Sequence, residues 1–232
     1  MAITRHDWPD RDALAEGLAQ NIALHLTARL ARSGAASLAV SGGTTPIRLF
    51  EALAKIDIDW ARVTITLVDE RWVDAGAPRS NAALVRRHLL TGKAAVARFL
   101  PLYTPDHTPE AGWLAAELRL RLAPMPLTVA VLGMGEDGHT ASFFPGGDRL
   151  EAALDPRTTR MTEIIRAPSA GEPRITLTLA TLLAAERLVL LIEGEAKRRV
   201  LERALADGPV ADMPVRAVLH QNAVPVEVHW AP

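Results

Sequence analysis

The apolar positions of this chain recur at two periods, and the switches between them mark out its elements. Leu14, Leu18, Ile22, Leu26 and Leu30 stand four apart between Asp10 and Arg32, which lines them along one face of a helix. Asp7 or Asp10 offers a cap for its start, and Gly34 fits just past its end. A short apolar strand, Ser37 to Val40, follows and runs into SGGTTP, where Pro46 opens a second helix, IRLFEALA. Val63 to Val68 (VTITLV) is a β-branched strand ending at DERW, and Ser80 can cap a helix through Leu90. Pro109 to Leu122 reads as a helix. Leu127 to Leu132 (LTVAVL) is apolar at nearly every position, as a strand buried on both faces requires. It runs into GMGEDGHTA. Past a break at Pro145 to Gly147, strands are expected at Met161 to Ile165, Ile175 to Leu179, Leu188 to Ile192 and Val224 to Val228. Helices are expected over ATLLAAE and GEAKRRVLERAL.

Strands alternate with helices nearly throughout. This predicts an α/β fold: three layers, with a mostly parallel Rossmann-like sheet covered by helices on both faces. No internal repeat, low-complexity run or linker interrupts the 232 residues, which suit one domain spanning 1–232. In such sheets ligands bind beyond the carboxyl ends of the strands. SGGTTP, DERW, GMGEDGHTA and GEAK each follow a predicted strand, so they are expected to share one site.

Composition narrows the partners. The apolar fraction of 49% supports a sizeable core, and a formal net charge of −1 gives no general attraction for nucleic acid or an acidic membrane. There is no cysteine, which excludes disulfides, thiolate metal sites and cysteine nucleophiles and fits a reducing compartment. The first residues, MAITRHDWPDRD, carry charges where a secretory signal would be apolar. No apolar stretch approaches the roughly 20 residues that span a bilayer. A cytoplasmic protein is expected.

In SGGTTP, which begins at Ser41, Gly42 and Gly43 let backbone N–H groups approach a ligand, the helix start favours an anion, and Thr44 adds a hydroxyl. An ordinary strand–helix turn would look the same, and the Walker ending is missing. Asp69, Glu70 and Arg71 of DERW are either ligand-binding groups at a strand end or a solvated charged turn. GMGEDGHTA contains G-x-G-x-x-G at Gly133, Gly135 and Gly138. A dinucleotide site is nevertheless not expected: Pro145 and two glycines interrupt the helix that should follow, and no acidic residue ends the next strand.

Within that turn Asp137 and His139 stand two apart. A neutral imidazole can take a proton from water, and Asp137 can orient its ring. The alternative is a capped turn with a surface histidine. The other histidines show no metal-ligand spacing, and no G-x-S-x-G elbow is present. Ser41 or Ser142 as nucleophile remains an option. Lys197 falls in the first turn of a helix, where a cation faces the wrong end of the dipole by about 0.3–1 kcal/mol. A bound anion there would reverse the sign; otherwise the lysine is simply solvated. Arg174, at a strand entrance, is a second cation for the same anion.

Together these segments resemble the 6-phosphogluconolactonases, from about Leu38 to Leu205. The resemblance rests on SGGTTP, DERWV with PRSN at Pro78 to Asn81, GMGEDGHTASFFP, RITLTLATLLAAE and GEAK. The wider superfamily includes the glucosamine-6-phosphate deaminases, which share the G-x-G-x-D-G-H turn. The deaminases look like DEY where this chain has DER, and they carry a Glu where it has Phe144. The resemblance therefore implies hydrolysis of 6-phospho-D-glucono-1,5-lactone in the pentose phosphate pathway. A deaminase or isomerase, or a non-catalytic sugar-phosphate sensor, is the alternative. The resemblance also implies roles. His139 is the general base, Asp137 orients it, and Arg71 binds substrate and stabilises the oxyanion. Ser41, Gly42, Gly43, Thr44, Asp69, Arg174 and Lys197 hold the sugar phosphate. No metal or organic cofactor is expected. The partner is a small-molecule substrate, and the chain is a monomer or weak homo-oligomer.

Overall fold

The computed structural model describes residues 3–232; Met1 and Ala2, the first two residues of the expected domain, lie outside it. Ten strands and eight α-helices follow the chain as β1 (Thr4–Asp7), α1 (Arg11–Ser33), β2 (Ala36–Val40), α2 (Ile47–Leu53), β3 (Val63–Leu67), β4 (Asp69–Arg71), α3 (Asn81–His88), β5 (Arg98–Leu100), α4 (Pro109–Leu120), β6 (Val129–Leu132), α5 (Leu150–Leu154), β7 (Thr162–Ile165), β8 (Arg174–Leu177), α6 (Leu179–Leu183), β9 (Leu188–Glu193), α7 (Gly194–Leu205), α8 (Arg216–Leu219) and β10 (Val226–Ala231). Seven strands form one sheet in the order β1-β10-β9-β6-β2-β3-β5, and every pair in it is parallel. In β2, β3 and β6 every residue is buried, so both faces of the sheet centre are covered.

The long first helix forms as its spacing predicts. Asp10 Oδ1 accepts the N–H of Ala13 at 2.7 Å, and Gly34 ends the helix in the left-handed conformation (φ 79°) with its N–H on Leu30 O. Leu14, Leu18, Ile22 and Leu26 are buried against β2, β6 and β10. Ser80 and Thr108 cap α3 and α4 through their hydroxyls.

The structure departs from the sequence reading in its second sheet. β4, β8 and β7 make a separate three-stranded antiparallel sheet. No helix lies between Ile165 and Arg174. Two strands so joined can pair only antiparallel, because a parallel pair needs a crossover of a dozen or more residues. The two segments predicted as strands there are therefore not members of the main sheet, and DER is itself a strand. The edge strands β1 and β5 are also new. β1 (TRHD) is mostly exposed and carries no apolar run to announce it.

Glu70 fastens the small sheet to α3. It is fully buried and accepts four hydrogen bonds, from Arg71 N, Asn81 N and Ala82 N at 2.8 Å and Ser80 Oγ at 3.0 Å. Two of these N–H groups belong to the first turn of α3, which has no partners within its own helix. Burial pushes the Glu70 carboxyl up from its ordinary value, and the four hydrogen bonds pull the other way. DERW is thus not a solvated turn. Glu70→Ala leaves four donors without their acceptor and is expected to cost about 3–4 kcal/mol in urea-induced unfolding. Glu70→Gln, which keeps one acceptor oxygen, is expected to cost distinctly less; equal midpoints for Glu70→Ala and the parent would refute the clamp.

Candidate active site

A cavity of ≈ 390 Å³ opens where the carboxyl ends of β2, β6 and β9 face the small sheet. The four motif segments meet there. Ser41, Gly42, Gly43, Thr44, Asp69, Arg71, His139, Arg174 and Lys197 all line it. Asp137 does not; it stands behind His139.

The glycine-rich turn is built to hold that pair. Gly135 N–H donates to His139 O at 2.8 Å, Gly138 N–H to Gly135 O at 3.2 Å, and Thr140 Oγ1 to Gly133 O at 2.7 Å. A Cβ at Gly135 would collide with the His139 ring and the Asp137 carboxylate. Gly138 sits at φ 80°, where only glycine is unstrained. No helix follows until Leu150, so the G-x-G-x-x-G spacing serves close packing around the pair and not a nucleotide fold.

His139 Nδ1 lies 2.6 Å from Asp137 Oδ1, and the same oxygen takes the backbone N–H of His139 at 3.1 Å. Burial raises the Asp137 carboxyl, but the hydrogen bonds and charge of His139 outweigh it and leave Asp137 below the usual carboxylate range. An ionised Asp137 can only accept, so it fixes the ring proton on Nδ1 and leaves the Nε2 lone pair free. The buried ring of Phe144 packs on the imidazole, with centroids 4.4 Å apart and planes 37° apart.

Three cations, Arg71, Arg174 and Lys197, line the same cavity. Arg174 is 9% exposed, donates from Nη2 to Ala170 O at 2.9 Å, and lies 5.4 Å over the Phe144 ring. Burial pulls its pKa down, countered by Asp69, whose Oδ2 is 3.8 Å from Arg174 Nη1. An arginine so perturbed still carries its charge at neutral pH. Arg71 donates from Nη1 to Arg79 O at 2.6 Å and to Asn81 Oδ1 at 3.1 Å. Lys197 joins them from the first turn of α7. Asp69 is held by Ser142, whose buried hydroxyl donates to Oδ2 at 2.5 Å. Ser142 is therefore committed to Asp69, and among the described residues no base is hydrogen-bonded to Ser41 Oγ.

Among the cavity residues outside the expected site set are Asn81, Phe144, Ser169 and Glu193. Asn81 directly follows the Ser80 cap, and Glu193 is the strand residue just before GEAK, so both carried a positional signal. Burial pushes the Glu193 carboxyl up, against the pull of Arg11 and Arg48. Away from the cavity, the fold brings His6, Glu227 and His229 together, with one side-chain atom of each within 4.8 Å of the others. Sequence spacing could not reveal this, because the residues sit on paired strands β1 and β10. The two rings stack at 4.4 Å and 21°, so their in-plane lone pairs lie in separate planes. Trp8 Nε1 also donates to His229 Nδ1 at 3.2 Å, which puts the ring proton on Nε2. The cluster packs the edge strand β1 against β10.

Comparison with known proteins agrees in sequence and in fold. The family model for glucosamine-6-phosphate isomerases/6-phosphogluconolactonase matches residues 9–230. A 6-phosphogluconolactonase of Rhizobium meliloti (strain 1021) is 50% identical over 232 residues, covering 100% of both chains. One from Mesorhizobium japonicum is 51% identical over 225 residues, covering 97% of this chain and 94% of the relative. The crystal structure of a 6-phosphogluconolactonase from Shewanella baltica OS155 superposes with a TM-score of 0.96 at 42% identity, covering 99% of this chain and 98% of that one. With agreement over nearly its whole length, the chain belongs to the glucosamine-6-phosphate isomerase/6-phosphogluconolactonase family, on the 6-phosphogluconolactonase side.

Proposed function

We propose that one sugar-phosphate hydrolase domain spans this chain and that it hydrolyses 6-phospho-D-glucono-1,5-lactone to 6-phosphogluconate, the lactone-opening step of the oxidative pentose phosphate pathway. The observation that carries the mechanism is the hydrogen-bonded Asp137–His139 pair, with His139 in the lining of a cavity that Arg71, Arg174 and Lys197 also line.

His139 Nε2 takes a proton from water as the water oxygen bonds to the lactone carbonyl carbon. Asp137 steadies the imidazolium that forms. The electron pair displaced onto the carbonyl oxygen makes an oxyanion, which Arg71 stabilises electrostatically. When that pair returns, the bond from C1 to the ring oxygen breaks, and the imidazolium delivers its proton to the departing oxygen. The acid product then loses a proton to solvent. Ser41, Gly42, Gly43, Thr44, Arg174 and Lys197 hold the 6-phosphate. The loop supplies backbone N–H groups, and the phosphate also offsets the unfavourable position of Lys197 at the start of α7. Asp69 binds sugar hydroxyls and keeps Arg174 aligned. Phe144 occupies the place where the deaminases carry a Glu, which favours plain hydrolysis over ring-opening chemistry. No residue in this scheme calls for a metal or organic cofactor. We place the protein in the cytoplasm, a reading that its lack of cysteine fits, as a monomer or weak homo-oligomer. No helix among the described residues is long and apolar enough to cross a membrane.

The test is spectrophotometric hydrolysis of freshly generated lactone, corrected for its spontaneous rate. His139→Ala is expected to lower kcat by about 10²–10⁴-fold, the usual worth of a general base. A folded variant with wild-type turnover would refute the mechanism. Asp137→Asn presents a neutral amide to Nδ1 and no longer stabilises the imidazolium. It is expected to reduce kcat while leaving KM near its parent value. Lys197→Ala is expected to raise KM for the phosphorylated lactone about ten- to a hundredfold, the worth of one charge-assisted hydrogen bond. Unphosphorylated gluconolactone should be turned over as before; an unchanged KM for the phosphorylated lactone would remove Lys197 from the site.

A further inference from the structure

We propose that Asn81 is a positioning residue that aims Arg71 at the reacting carbonyl while leaving the guanidinium charge uncompensated. The inference rests on the oxyanion role given to Arg71 above and adds the residue that makes that role effective.

Asn81 is 2% exposed and lines the cavity at the first position of α3. Its amide orientation follows from its neighbours. Nδ2 donates to Asp69 O at 2.9 Å and lies 3.4 Å from Asp69 Oδ1, so Oδ1 is the end that faces Arg71 Nη1 at 3.1 Å. Reversing the amide would set an N–H against a guanidinium N–H and an oxygen against a carbonyl. The backbone N–H of Asn81 is fixed by Glu70. On its other side the amide packs against Gly42, where a Cβ would overlap Asn81 Oδ1 and Cγ. One side chain therefore touches the phosphate loop, the DER strand and the α3 start together.

The chemistry of what holds Arg71 gives this arrangement its purpose. Both acceptors on Nη1 are neutral: the Arg79 carbonyl and the Asn81 amide oxygen. Among the described residues no carboxylate lies within ion-pair distance of the Arg71 guanidinium, whereas Arg174 has Asp69. Arg71 Nε is buried and has no hydrogen-bond partner. A guanidinium tethered by carbonyl and amide oxygens is held in place and keeps its full charge for an oxyanion. A carboxylate in place of Asn81 would hold it equally well but would neutralise it before the substrate does.

The experiment is a double-mutant cycle on kcat, with Asn81→Ala and the nearly isosteric Asn81→Asp, each in the parent and in an Arg71→Ala background, and thermal unfolding recorded for every variant. Asn81→Ala is expected to lower kcat about ten- to a hundredfold, the scale of a misplaced catalytic group, with KM changed little. Asn81→Asp is expected to fall as well, although it retains the acceptor. In the Arg71→Ala background neither substitution should lower kcat further, because the group they act through is gone. Losses of equal size in both backgrounds would mean a merely structural role and overturn the inference. So would an Asn81→Asp enzyme that turns over like the parent, an outcome that remains readable if Asn81→Ala fails to fold. Near-normal turnover by Arg71→Ala alone would instead overturn the oxyanion role itself, and the inference with it.

Discussion

Val68 is the hinge on which the site is assembled. Its N–H donates to Val40 O at 2.9 Å, the last bond of the parallel sheet on that side, and its carbonyl accepts from Leu177 N at 2.8 Å, the first bond of the antiparallel one. The residue is fully buried, and a buried backbone group without a partner is costly. The crossing from one sheet to the other is therefore held at a single point. The placing of Asp69, Arg71 and Arg174 follows from it. Asp69 and Arg71 come immediately after Val68 in the chain, and Arg174 is paired with Arg71 across β4 and β8. The glycine-rich turn crosses the same seam, since Ser142 bonds Asp69 through its hydroxyl and takes Thr176 Oγ1 as acceptor for its N–H.

This construction explains why charged groups tolerate burial here. Asp69, Glu70 and Arg174 are each nine-tenths buried or more. An ion in such a place is stable only when paired or hydrogen-bonded. Asp69 has Ser142, Asn81 and Arg174 around it, and Glu70 has its four donors. The partners are fixed by the same backbone that carries the charges, so little reorganisation is needed for the negative charge that the proposed hydrolysis would develop in the cavity. That is the condition under which electrostatic stabilisation is strongest.

Much of this was legible in the sequence because it depends on local rules. The spacing of Leu14, Leu18, Ile22 and Leu26, the cap at Asp10 and the stop at Gly34 are all contained within one helix, and the parallel sheet follows from alternation. The segments of the cavity announced themselves as unusual residues after apolar strands. The second sheet did not, because its strands are three or four residues long and its pairing is decided by what lies between them. β1 was silent because an edge strand of polar residues has no apolar period. The His6–Glu227–His229 cluster and the Asn81–Arg71 bond were silent for a different reason, although PRSN and the Ser80 cap had marked Asn81 itself. They join residues whose nearness is created by strand order or by a turn, and that nearness leaves no mark on the sequence.

The glycines of GMGEDGHTA show how a pattern can be genuine and its first meaning wrong. In a dinucleotide fold such glycines admit a pyrophosphate and a tightly packed helix. Here the space freed at Gly135 is filled from within, by the His139 ring and the Asp137 carboxylate. At Gly138 it is filled by Met213, while the carbonyl of Gly138 accepts the N–H of Val215. Gly138 thus docks the turn on the segment leading into α8, far along the chain. Here the backbone between Asp137 and His139 turns through the positive φ of Gly138 and closes the pair at 2.6 Å. The glycine spacing and the Asp–His contact are one feature, since the glycines make the room in which the two side chains meet.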